Sequence, residues 1–272
     1  MDDGSDIVKE ESIAPQQTVK IPKIVMQTWK TDEVPDHWKA SQRGIKRHMA
    51  DWEYHLMTDE DNRAFVQMYF PDFLETYDEF EYGIMRADAI RYMWLYVNGG
   101  VYMDLDIMLI KPIDELFYED KEVYLAPSGN YSSYYTNAFM ASKPKVRMWL
   151  SCLAEMKKPY QFWQVGKHLK VMATTGPLML TRVVNYKSRN KATYTKLPGE
   201  LLITCTVCDE KPCDRNHGYA RTLDGSSWVA TDTKAMIFCS CHWKEIVIVV
   251  IIVLIALWIA RKYYRESRRT QG

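Results

Sequence analysis

The 272-residue sequence predicts an α/β fold, a mixed and mostly parallel sheet flanked by helices, followed by one C-terminal transmembrane helix. Three observations predict it. The first hundred residues alternate strand-like and helix-like segments in the order β-α-β-α-α-β, the pattern of parallel strands joined by crossover helices. Gly99-Gly100 separates a helical stretch from a β-rich run, Val101 to Ile110, that carries Asp104 and Asp106. From Ile246 to Ala260 (IVIVVIIVLIALWIA) the chain is wholly apolar.

The bulk numbers set bounds. The length suits one large domain or two small ones with a sizeable core. Lys+Arg and Asp+Glu are both 35, so the formal net charge is zero and nothing suggests a broad nucleic-acid footprint. Nine Trp and eighteen Tyr suit a sugar-handling protein, and equally a large core.

The elements follow in order. Residues 1–19 are polar and acidic, lack an apolar leader and read as a disordered tail. Ile24 to Trp29 is a buried first strand, and Pro35 opens a helix over 36–47. Residues 51–57 alternate like a second strand. Thr58-Asp59-Glu60-Asp61 is an N-cap with an acidic first turn, leading a helix through Met68 that Phe70-Pro71 ends. From Tyr82 to Val97, Ala87, Ile90, Trp94, Leu95 and Val97 recur at helical spacing, which predicts an amphipathic helix with one buried face. Asn98-Gly99-Gly100 stops it, because glycine enters the left-handed cap conformation without a Cβ clash. Beyond the acids, the sequence predicts a short helix at 114–117 and strands at 123–126, 137–141 and 201–207. It predicts helices at 146–156 and 178–184, with a polar, tyrosine-rich loop over 130–135 and a turn at 174–177.

Residues i and i+2 of a strand share a face, so Asp104 and Asp106 point one way while Val101, Met103, Leu105 and Ile107 point into a core. Two neighbouring carboxylates repel unless a cation sits between them. Hard oxygen ligands suit Mg²⁺ or Mn²⁺, with substrate phosphates completing the shell. Asp88 and Arg91, three residues apart, would in isolation be an ordinary helix-surface pair.

The strings IPKIVMQTW (21–29), RADAIRY (86–92), GGVYMDLD (99–106), TGP (175–177), and His217 followed by GSSW (225–228) match, in order, motifs of one family. The sequence resembles glycosyltransferase family 32, the DXD-containing sugar transferases, over roughly residues 20–232, and within it the mannosyl-inositol-phosphoceramide synthases. A lone D-x-D has little specificity; the string from Arg86 to Asp106 is specific. The resemblance implies a GT-A fold and retention at the anomeric carbon. It implies that Asp106 ligates the metal and that Asp104 touches both metal and donor ribose. Asp88 and Arg91 would line the donor site with Arg86, Gln27, Gly99 and Gly100 nearby. Trp29 would stack on the nucleobase, Ser227 and Trp228 would cover the diphosphate, and His217 would add a metal ligand. Two departures stand out: Met26 replaces a usual His, and the gap from His217 to Gly225 is longer than usual.

The organisation that results is a glycosyltransferase domain at 20–242, a membrane anchor at 243–262 and a basic tail at 263–272. Fifteen apolar residues span about 22 Å against a hydrocarbon core of about 30 Å. Lys244, Arg261 and Lys262 can snorkel, and Trp243, Tyr263 and Tyr264 can form interface belts. The basic flank argues for a cytoplasmic tail and a lumenal domain, whereas the polar N-terminus fits a tail anchor with a cytosolic domain. The expectation is a protein attached to Golgi or ER membranes. Cys205, Cys208, Cys213, Cys239 and Cys241 are compatible with zinc, disulfides, free thiols or acylation. Asn130-Tyr131-Ser132 is a glycosylation sequon.

The function expected is metal-dependent transfer of a hexose, mannose from GDP-mannose or another sugar from a UDP-sugar, to a lipid or glycan acceptor at the bilayer. The cofactor is Mn²⁺ or Mg²⁺, and no nucleic-acid partner is expected. The alternatives are a catalytically decayed membrane adaptor of the same fold and a nucleotidyltransferase. The second would need a basic phosphate loop near the N-terminus, which the sequence lacks.

Overall fold

A computed structural model describes residues 20–117, 121–128, 131–161, 163, 165–187, 194–199, 201–203, 208, 218–225, 227–228 and 231–270. The acidic tail, Asn130, Cys205, Cys213, His217 and Ser226 lie outside the described residues.

The N-terminal half is built as the alternation predicts. Strand β1 (Ile24–Thr28) is followed by α1 (Lys39–His48), β2 (Glu53–Met57), α2 (Asp59–Tyr69), α3 (Leu74–Asp78), α4 (Gly83–Val97) and β3 (Gly100–Met103). Thr58 caps α2 in a reciprocal box: its side chain accepts from the Asp61 N–H, and Asp61 accepts from the Thr58 N–H. β4 (Ile107–Leu109), β5 (Val123–Ser128) and β6 (Tyr131–Ser142) follow, then α5 (Arg147–Met156), α6 (Gly166–Thr174), α7 (Pro177–Arg182) and β7 (Tyr194–Lys196). β8 (Leu202–Ile203), β9 (Ala220–Thr222), α8 (Thr231–Cys241) and α9 (Trp243–Thr270) complete the order.

The main sheet has the order β2-β1-β3-β6-β5-β7. β1 is parallel to both β2 and β3, β6 is antiparallel to β3 and β5, and β7 is parallel to β5, so the sheet is mixed. Alternation sends Met26, Tyr102, Leu125 and Met140 into a core with α2, α4 and α5. It sends Val25, Val101, Met103, Phe139 and Ala141 into a second core with Ile45 and Met49. A small sheet, β4-β9-β8, belongs to that second side.

Four expectations change. The run from Val101 to Ile110 is two strands rather than one. β3 ends at Met103, the Ile107 N–H donates to the Asp104 carbonyl across a turn, and β4 joins the other sheet. Leu105, at that turn, therefore packs with Val34 and Trp38 instead of with Val101 and Met103. Helix α4 is not amphipathic: every residue from Asp88 to Leu95 is buried, because the sheet, α2 and α5 close around it. Tyr131 to Tyr135 belongs to β6, where tyrosine's strand propensity outweighs the local polarity. Helix α6 has no counterpart in the sequence reading.

Gly99 and Gly100 have φ of +69° and +81°, the left-handed region that glycine enters freely. A Cβ on Gly100 would lie 2.4 Å from Ile24 Cγ1, so this corner also requires close backbone approach to β1. At the other end of the chain, α9 includes a segment, Trp243–Lys262, long and apolar enough to cross a membrane, and its apolar side chains are exposed. A disulfide joins Cys208 to Cys241, which removes Cys241 from the acylation and zinc readings. Cys239 is a free, exposed thiol and Cys152 a buried one. Among the described residues no cluster of three His, Cys, Asp or Glu could hold a metal.

Candidate functional site

The turn between β3 and β4 carries the two acids, and three groups from separate parts of the chain fix it. The Asp104 N–H donates to the Ala138 carbonyl of β6 at 2.8 Å, and the Leu223 N–H donates to the Asp106 carbonyl at 2.6 Å. The Gln27 amide donates to the Asp104 carbonyl at 3.2 Å and to Ser41 Oγ at 2.8 Å. Gln27 is fully buried, so it braces the turn from below and does not reach a ligand.

The Asp104 carboxylate is held as well. Its Oδ1 accepts from the Tyr102 hydroxyl and lies 3.1 Å from Arg91 Nη1. Tyr102 and Asp104 are i and i+2, so the pleat aims both toward α4, which supplies Arg91. The Arg91 guanidinium sits 4.5 Å from the Tyr102 ring centre, donates to the Asn137 carbonyl at 2.8 Å, and lies 3.1 Å from Asp88 Oδ1. Asp88 in turn accepts from Thr175 Oγ1 at 2.8 Å and Asn137 Nδ2 at 2.9 Å. The pair at i, i+3 that could have been a surface contact is thus buried on both sides. Burial works against the Arg91 charge, but Asp104, Tyr102 and Asp88 outweigh it and raise its pKa.

Asp106 has no such partner. Burial first, and the Asp104 charge second, push its carboxyl up to about 7. A cation at the pair would reverse both effects for Asp106, since it supplies charge where Arg91 is already committed. The residues present fit a hard divalent ion in donor type: two carboxylates with oxygen positions left for phosphates and water. They fit it in charge as well, because Asp106 makes no ion-pair contact among the described residues and the Arg91 charge only partly offsets burial and Asp104.

These acids lie in a cavity of about 350 Å³. Thr28, Trp29 and Lys30 form one side, Tyr82, Gly83, Ile84, Ala87 and Arg91 the α4 side, and Lys167, Ser227 and Trp228 the outer wall. Trp29 is set by continuation of β1–β2 pairing, its N–H donating to the Met57 carbonyl at 3.0 Å, and by edge-on contact with Trp38 at 5.0 Å. Two ties bring the distant residues 223–225, 227–228 and 231–232 to the cavity. Trp38 Nε1 donates to the Asp224 carbonyl at 3.2 Å, and Gly225, at φ +111°, lies against the same indole. Trp228 stacks on the His168 ring at 5.4 Å and 13°, while the His168 N–H donates to Asp232 Oδ2 at 2.7 Å.

Trp29, Arg91, Asp104, Asp106, Ser227 and Trp228 all line the one cavity. Asp88 and Gln27 stand behind it as supports. Arg86 is turned away, donating to the Phe80 carbonyl at 2.7 Å. Gly99 and Gly100 shape the opposite end of β3 and do not reach the cavity, a correction that follows from strand length alone. His217 lies outside the described residues. Met26 is fully buried in the core and is not a lining residue, so this departure from the family pattern leaves the cavity wall untouched. The sequence reading missed Lys30, Trp38, Tyr82 and Lys167 as lining residues. Tyr102 and Thr175 stood in quoted motifs and had a legible signal; Lys167 had none.

The comparisons with known proteins agree with this geometry. Residues 35–122 match the family described as "Glycosyltransferase sugar-binding region containing DXD motif". Inositol phosphoceramide mannosyltransferase 3 of Schizosaccharomyces pombe is 32% identical over 239 residues, covering 88% of this chain and 64% of the relative. Mannosyl phosphorylinositol ceramide synthase SUR1 of Saccharomyces cerevisiae is 33% identical over 242 residues, covering 86% of this chain and 59% of the relative. The chain therefore spans about six tenths of the length of these two relatives. Among solved structures, the PaToxG glycosyltransferase superposes with a TM-score of 0.50 at 16% identity, over 62% of this chain and 70% of that one, a likeness of fold. With the family match ending beyond Asp106, and the paired acids at the floor of a cavity in a fold of this kind, residues 35–122 carry the DXD-containing sugar-binding region of glycosyltransferases, and most of the chain is similar to inositol phosphoceramide mannosyltransferases.

Proposed function

We propose that the chain is a metal-dependent retaining glycosyltransferase that moves mannose from GDP-mannose to the inositol phosphate headgroup of a ceramide lipid. One observation carries the reading. Asp104 and Asp106 share a cavity with a half-buried tryptophan, Trp29, on one side and Ser227-Trp228 on the other. Mannose and the lipid come from what the relatives' names say of those proteins.

In this reading Asp104 and Asp106 hold Mn²⁺ or Mg²⁺. A divalent ion held there would supply Lewis-acid charge neutralisation for a diphosphate leaving group. The chain's own residues do the positioning. Arg91 and Tyr102 fix the rotamer of Asp104, Trp29 offers a face for the base, and Ser227 donates toward the diphosphate. Trp228 excludes water from the reacting centre, which limits hydrolysis of the donor.

In this reading the Trp243–Lys262 helix anchors the domain to a bilayer, and the basic residues Arg261, Lys262, Arg265, Arg268 and Arg269 support a cytoplasmic tail. The Cys208–Cys241 disulfide supports the same orientation, since disulfides persist on the oxidising, lumenal side. Protease protection on sealed microsomes tests this: cleavage of the intact domain without detergent would refute it.

The function itself is tested with the full chain in detergent, Mn²⁺ and a panel of GDP- and UDP-sugars. Transfer from GDP-mannose to inositol phosphoceramide is expected, with loss in Asp104→Ala and in Asp106→Ala. Full activity in either variant would refute the metal role. No thermal shift with any donor would favour the decayed adaptor.

A further inference from the structure

Three cationic side chains reach the cavity, Lys30, Arg91 and Lys167, and they are not equivalent. Arg91 is committed to Asp88 and Asp104. Lys30 belongs to the base side, with Nζ 5.6 Å from the Trp29 ring centre. Lys167 is on the opposite wall, the second residue of α6, with Nζ 5.4 Å from the Tyr82 ring.

Two acids flank Lys167, Glu81 and Asp232, and both already have partners. Glu81, which also lines the cavity, pairs with Lys170 at 2.7 Å, one turn further along α6. Asp232 accepts from the His168 and Thr233 N–H groups. Among the described residues Lys167 itself forms no ion pair with a carboxylate. A half-buried ammonium in a concave site, packed on an aromatic ring and flanked by two acids that are occupied elsewhere, is a site for an anion from outside the chain.

The direction of that anion follows from the connectivity. Helix α6 packs on α8, and α8 runs through His242 into the apolar helix α9. The wall bearing Lys167 is thus the one joined to the membrane-crossing candidate, whereas the Trp29 wall is joined to the sheet.

We infer that Lys167 binds the phosphodiester of an anionic lipid acceptor. The inference rests on the reading of the cavity as a nucleotide-sugar site, in which the donor's own phosphates lie at Asp104 and Asp106. In an inositol phospholipid the ring hydroxyls neighbour the phosphate. Holding the phosphate at the outer wall therefore presents a hydroxyl toward the inner end, where the sugar would sit. Lys167 then selects phosphorylated over neutral glycolipid acceptors.

The test uses the full chain in detergent micelles and calorimetric titration with inositol 1-phosphate, in the presence of Mn²⁺ and saturating GDP. Wild-type protein binds inositol 1-phosphate and does not bind free inositol. Lys167→Ala weakens that binding about tenfold or more, and Lys167→Arg, which keeps the charge, retains it within about threefold. The loss is larger for inositol 1-phosphate than for GDP. The inference is overturned by wild-type protein that ignores inositol 1-phosphate, by undiminished binding in Lys167→Ala, or by displacement of inositol 1-phosphate by GDP, which would put the phosphate in the nucleotide's place. Failure of the underlying reading looks different: wild-type protein would give no heat with GDP and Mn²⁺.

Discussion

Arg91 Nη1 stands 3.1 Å from Asp104 Oδ1, and this contact divides the two acids of the D-x-D turn into different chemical roles. Asp104 is oriented and charge-compensated before any ligand arrives. Asp106 is neither, and its carboxyl is pushed up to about 7 by burial and by Asp104. The pair is therefore asymmetric: one acid is placed by an ion pair, and the other is not.

Arg91→Ala strands Asp88, which is nearly fully buried, and releases Asp104. Removing one partner of a buried ion pair costs about 3–5 kcal/mol, which for a chain this size lowers Tm by about 6–20 °C. Transfer activity disappears with it. Arg91→Lys keeps the charge but loses the fork that reaches Asp88, Asp104 and Asn137 together, so stability recovers more than activity does. Thermal melts and a donor-hydrolysis assay on the same preparations check the order.

Asp106→Asn stabilises the metal-free protein at neutral pH. The folded-state value near 7 exceeds the unfolded value near 3.8, so ionising Asp106 opposes folding. The penalty is absent below about pH 4, grows as pH rises, and is complete above about pH 7. At pH 8 with a chelator the variant melts above wild type. With Mn²⁺ at a hundredfold over its Kd, wild type gains about 2.7 kcal/mol and the order reverses. Equal melting temperatures in chelator at pH 8 would contradict the asymmetry.

How much of this was legible follows from what kind of signal each residue carries. Asp104, Asp106, Asp88, Arg91, Trp29, Ser227 and Trp228 sit in local strings, and local strings survive in one dimension. Thr58 as an N-cap and Gly99-Gly100 as a stop are also local, and both stand in the structure. The misreadings are tertiary. Alternation put Asp104 and Asp106 on one strand face, but pairing with β9 pulls β4 into a second sheet and turns the chain between them. Helical spacing suggested one wet face for α4, but burial around it comes from β6, α2 and α5, which periodicity does not see. Lys167 is a lysine in an unremarkable stretch until α6 brings it to the cavity.

The Cys208–Cys241 disulfide closes a loop of 33 residues that contains the strand and the strap reaching the cavity. Loop-closure entropy for such a length contributes about 3–4 kcal/mol. The double variant Cys208→Ser/Cys241→Ser therefore melts lower than wild type when both are oxidised, and reductant narrows the gap. Melts of the full chain with and without reductant check this; an unchanged gap would mean that the disulfide does not carry the difference.

Asp232 fastens the outer wall. One carboxylate accepts from N–H groups in the first turns of two helices, His168 of α6 and Thr233 of α8, where helix dipoles favour negative charge. The same α6 turn carries Lys167 into the cavity and stacks His168 on Trp228. Asp232→Ala frees Trp228 from that register, so KM for the donor rises several-fold while kcat falls less, because the acids themselves are held by other elements. Asp232→Asn, which keeps an acceptor oxygen, lies between. Gly166→Ala reaches the same end by another route. Gly166 has φ +81°, and its added Cβ would lie 2.9 Å from Asp232 Oδ2, so the new methyl pushes the carboxylate off α6 without removing it. Steady-state kinetics on the three variants should show the donor KM moving in the same direction in each, with Asp232→Asn the smallest change. A KM unmoved in both Asp232→Ala and Gly166→Ala would mean that the wall does not depend on this clasp.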